Sequence, residues 1–123
     1  MGDRPDVPDD VVARIDTVLR AWQGVRQESA WVGIRWKVRD ATVAHVFGGE
    51  DGLFRITFRG EPDEVAAFGH MGPPYFTVSW GSNVIGMILD EHTDWTELAE
   101  ALQDSYRIQA PASWTSSDLP ADG

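Results

Sequence analysis

The chain has 123 residues, 42% of them hydrophobic, with six Trp and five Phe; this suits one domain with a real core and excludes global disorder. It has no Cys, which excludes disulfides, thiolate metal sites and cysteine nucleophiles and fits a reducing, cytoplasmic setting. A net charge of −10 is unlike the footprint of a nucleic-acid-binding domain, which is usually basic.

The N-terminus, Met1 to Asp6, is polar and acidic and does not read as a signal peptide. Residues 1–7 are expected to be flexible. A helix follows. Pro8 suits its first turn, and Asp9 and Asp10 favour the positive end of the dipole. Val11, Val12, Ile15, Val18, Leu19 and Trp22 make one apolar stripe, and Gly24 is placed to end it.

Strand patterns come next. Val32–Arg39 alternates, with Val32, Ile34, Trp36 and Val38 on one face and Gly33, Arg35, Lys37 and Arg39 on the other. Asp40-Ala41 is a break, and Thr42–Phe47 resumes as a strand. The turn composition of residues 48–52 precedes Leu53–Arg59, with Phe54, Ile56 and Phe58 inward and Arg55, Thr57 and Arg59 outward. Short breaks make an antiparallel meander the economical topology.

Asp63–Phe68 is predicted as a short helix and residues 69–74 as a loop. Tyr75–Trp80 and Val84–Leu89 are predicted as a hairpin around Gly81-Ser82-Asn83. Thr93 or Asp94 caps the last helix, with Glu97 at capping-box spacing from Asp94. Trp95, Leu98, Ala99, Leu102 and Tyr106 form its stripe, and Pro111 marks its end. The predicted fold is α+β in two layers. A five-stranded antiparallel sheet carries N- and C-terminal helices on one face. The domain spans 8–114, and residues 115–123 read as a disordered tail. No apolar run approaches the ~18 residues of a membrane span.

Charge is sorted along the chain. Residues 29–60 hold Arg35, Lys37, Arg39, Arg55 and Arg59 against Asp40, Glu50 and Asp51, whereas residues 61–105 hold nine acids and no Lys or Arg. The cations fall on alternating positions, so they are expected on the open face of the sheet. A local cationic face can hold an anion on an acidic protein.

The C-terminal half resembles the MmcQ/YjbR family. The resemblance rests on residues 69–76 (Gly-His-Met-Gly-Pro-Pro-Tyr-Phe), Trp80 to Gly86, Thr93 to Leu98, Asp104-Ser105-Tyr106-Arg107 and Ala110-Pro111, and it covers roughly residues 8–114. It implies a fold like that of CyaY, the bacterial frataxin, with two helices on an antiparallel sheet. Members are usually labelled DNA-binding. The chain departs from the common pattern at Ala110-Pro111-Ala112-Ser113, which holds no Lys or Arg.

Two site expectations follow. Arg35, Lys37, Arg39, Arg55 and Arg59 form a face for DNA or another polyanion. The alternative is a protein- or small-molecule-binding cleft lined by Trp31, Tyr75 and Trp80. The acids of the first helix are interrupted by Arg14 and Arg20. The segment Asp90-Glu91-His92-Thr93-Asp94 lacks a second His at ligand spacing, so no metal and no cofactor are expected. No nucleophile elbow, phosphate loop or dinucleotide fingerprint occurs, and the chain is expected not to be an enzyme. It is expected to be a monomer or a weak homodimer.

Overall fold

The computed structural model describes residues 6–78, 81 and 83–116. Helix α1 (Asp9–Leu19) starts at Pro8, whose carbonyl accepts from the N–H groups of Val11 and Val12. Ile15 and Leu19 of its stripe are fully buried. Gly24, at φ +78°, turns the chain into the first strand, and Trp114 packs where a Cβ would sit.

The sheet has six antiparallel strands rather than the expected five: β1 (Val25–Ser29), β2 (Ile34–Val38), β3 (Ala41–Gly48), β4 (Phe54–Arg59), β5 (Tyr75–Thr77) and β6 (Val84–Leu89). Their spatial order is β1-β2-β3-β4-β6-β5. The unforeseen strand is β1. Its sequence, Val-Arg-Gln-Glu-Ser, has a single apolar residue and so no hydrophobic alternation to announce it. It forms because Ala30 and Gly33 close a turn that returns the chain along β2.

Helix α2 (Pro62–Met71) is longer than the predicted Asp63–Phe68. The side chain of Glu61 accepts from the backbone N–H of Glu64, and the Glu64 side chain accepts in return from the N–H of Glu61, satisfying two orphan donors. Gly69, His70 and Met71, expected in a loop, form its last turn. Helix α3 (Trp95–Gln109) is capped by Asp94, whose Oδ1 accepts from the N–H groups of Thr96 and Glu97 at 3.1 Å each. The Glu97 side chain does not close the predicted capping box; it accepts from Tyr75 Oη at 2.7 Å. A short helix α4 (Ala112–Ser116) follows and takes in residues 115 and 116, the first two of the expected tail. The rest of that tail lies outside the described residues.

Helices α1 and α3 pack on one face of the sheet, and α2 packs on β5 and β6 at its edge. The covered face presents Trp36, Val38, Val46, Ile56, Phe58, Ile85 and Met87, each at most 2% exposed. Trp36 is held further by its indole N–H, which donates to Asp16 of α1 at 2.9 Å. A bulge in the β2–β3 pairing falls at Trp36/Lys37. Ser105 of α3 bridges β3 and β4: its hydroxyl donates to the Val43 carbonyl at 2.6 Å and accepts from the Arg59 N–H at 2.8 Å. Among the described residues, no helix is long and apolar enough to cross a membrane.

Candidate functional site

Registers fix which side chains share the uncovered face. Arg26 and Glu28 of β1 face Lys37 and Arg35 of β2. His45 of β3 sits between Arg35 and Thr57, and Thr57 of β4 pairs with Gly86 of β6. Arg55 and Arg59 flank Thr57 on the same face of β4. Four of the five expected cations therefore point to the open side. Arg39 does not. It lies in the β2–β3 turn at φ +55°, beyond the last residue of β2, because a two-residue turn there needs a left-handed position.

The four cations have different surroundings. Arg35 Nε donates to Glu28 Oε2 at 2.8 Å, and Lys37 Nζ lies 3.8 Å from the same oxygen. Arg26 Nε lies 3.8 Å from the other oxygen. One carboxylate thus serves three cations and leaves a net positive cluster. Arg55 grips Asp51 through two bonds of 2.6 and 2.9 Å. That pairing holds the Asp51 carboxyl well below its ordinary range and raises the affinity of Arg55 for its proton. Arg59 has no carboxylate partner among the described residues. Its Nη1 donates to Asn83 Oδ1 at 3.0 Å, and burial works against its charge.

Arg35 and Arg59 line one small cleft of about 140 Å³, with Thr42, His45 and Thr57. Thr57 is 5% exposed, and its hydroxyl makes no hydrogen bond to another described residue. His45 Nε2–H donates to the Val32 carbonyl. Burial, chiefly, lowers the His45 pKa; the Val32 bond opposes that shift, and the neighbouring Arg35 adds to it. On the far side, the Phe76 ring lies over Gly86, where any Cβ would overlap it. It covers β6 and leaves the middle of the sheet open.

The aromatic cleft expected of Trp31, Tyr75 and Trp80 is not assembled. Trp31 is fully exposed in the β1–β2 turn, whereas Tyr75 is buried on β5, at the opposite edge of the sheet. Trp80 lies outside the described residues. Tyr75 instead lines a separate cleft with Met71, Pro73, Met87 and Glu97. Burial, and then the Glu97 carboxylate, raise its phenol pKa.

Residues that sequence reasoning missed are Glu28, Arg26 and Thr57. Glu28 and Arg26 were hidden because β1 was hidden. The alternation of opposite charges after Gly24 was the available signal. Thr57 was assigned to the correct face, but its burial depends on the neighbours that the pairing brings beside it.

The strands that build this face, β1 to β6, fall within one matched segment: residues 20–108 match the YjbR family. The chain belongs to the YjbR family. No curated protein matches it. Within this YjbR domain, the recognisable Asp104-Ser105-Tyr106-Arg107 run is structural. Ser105 bridges β3 and β4, Tyr106 Oη donates to the Gln23 carbonyl at 2.8 Å, and Arg107 pairs with Asp104 at 3.2 Å.

Proposed function

We propose that this YjbR domain is a non-enzymatic, cytoplasmic binding module whose open sheet face takes a phosphate-type oxyanion in the cleft between Arg35 and Arg59. The observation that carries this is the cleft itself. It combines two guanidinium side chains with the hydroxyl of Thr57, which bonds to no other described residue. A planar fork of N–H donors suits an oxyanion, and partial burial strengthens each bond. The volume of about 140 Å³ accommodates one such group, not a polymer segment.

The oxyanion can be free or carried on a nucleic acid backbone. The remaining cations favour the first source. Arg55 is committed to Asp51, Lys37 lies beside Glu28, and Arg39 stands apart in a turn, so they form no row tracking successive phosphates.

Amide chemical shifts on titration with inorganic phosphate test this. Shifts are expected at His45, Thr57 and Arg59, and Arg59→Gln is expected to weaken binding at least tenfold. A parallel titration with a short DNA duplex separates the sources. A nucleic-acid ligand gives a log K against log salt slope steeper than about −2, since each phosphate engaged contributes about −0.9. No shifts at millimolar phosphate would overturn the proposal.

A further inference from the structure

The sheet ends in two unlike edges. β5 has three residues and follows Pro73-Pro74, so it offers little backbone to pair with. β1 has five residues and, among the described residues, pairs only with β2. Edge strands are normally guarded by like charges, proline or a covering element. β1 instead carries opposite charges placed symmetrically about its central residue, in the order Val25-Arg26-Gln27-Glu28-Ser29.

We propose that β1 is a self-recognition edge, on which two copies of this chain pair antiparallel about a two-fold axis through Gln27. In that register each Arg26 faces Glu28 of the partner subunit, and each Val25 faces Ser29 of the partner subunit. The pairing is isologous, and it satisfies both charges twice. Arg26 has half of its side chain exposed, and its nearest carboxylate oxygen, on Glu28 of its own strand, is 3.8 Å away. It is therefore available to a better-placed partner.

Beyond the strand ends the chain leaves the extended path, at Gly24 and in the Ala30–Gly33 turn, and Trp31 stands in that turn. Trp31 is 100% exposed, the most exposed large apolar side chain among the described residues. An exposed indole thus flanks each end of the pairing. The two open faces would then run on as one twelve-stranded sheet, with Arg26 and Arg35 of both copies near the join.

A residue on the two-fold axis meets itself, and this gives a selective test. Sedimentation across a concentration series, in phosphate-free buffer, is expected to show a weak dimer for the native chain. Gln27→Lys and Gln27→Glu each place like charges across the axis and are expected to weaken it at least tenfold. An equimolar mixture of the two is expected to restore association as a heterodimer. Melting curves check that both variants remain folded, and the mixture carries its own control. A native chain that stays monomeric throughout, or variants that dimerise unchanged, would overturn the proposal. So would a mixture that restores nothing. None of these outcomes depends on anion binding.

Discussion

A single hydroxyl sets much of the geometry of this domain. Ser105 is fully buried and satisfies one acceptor on β3 and one donor on β4. Removing it leaves the Arg59 N–H and the Val43 carbonyl without that partner in the interior. Ser105→Ala is therefore expected to cost about 1–3 kcal/mol, read as a lower urea midpoint at unchanged m-value. His45 acts through its proton. Its folded pKa lies below the ordinary 6.5, so the unfolded chain binds a proton first as the pH falls. Its contribution is present in full above pH 6.5 and declines as the pH drops towards the folded value. Unfolding free energies between pH 5 and pH 7 are expected to rise with pH, and His45→Gln is expected to flatten that rise.

Elements differ in how openly their sequences announce them. β2 and β4 alternate Ile34, Trp36, Val38 and Phe54, Ile56, Phe58 against polar residues, so their faces were legible residue by residue. α1 and α3 were legible from stripes such as Ile15 and Leu19 or Leu98 and Leu102. β1 was not, because an edge strand with no fully buried residue does not require apolar residues on alternate positions. Its absence from the sequence reading also removed Glu28, the carboxylate that holds Arg35 and Lys37. β5 and β6 depend on each other through Phe76 and Gly86. Gly86→Val is expected to evict the Phe76 ring and cost about 1–3 kcal/mol. Phe76→Ala should relieve part of that cost, and a double-mutant cycle measures the coupling.

Over the whole molecule, charge is divided between layers. The helical side carries Asp9, Asp10, Asp63, Glu100 and Asp104, whereas the open sheet face carries Arg26, Arg35, Lys37, Arg55 and Arg59 against Glu28 and Asp51. A net charge of −10 thus coexists with a locally positive surface, and local potential governs contact there. The Arg59→Gln and salt-slope outcomes given above belong to this scale. They ask whether a discrete cleft or the summed field does the binding.

Sequence by itself determined the class of fold, the two long helices, five of the six strands, the inward faces of β2 and β4, and the side on which their cations stand. These follow from local periodicity, which any packed layer imposes on its own residues. Tertiary structure alone decided which cations are free. Ion pairing depends on strand order and register, which join Glu28 to Arg35 across a turn and bring Arg35 and Arg59 to one cleft. It also separated Trp31 from Tyr75, because a sheet's spatial order is set by long-range pairing that no local pattern encodes.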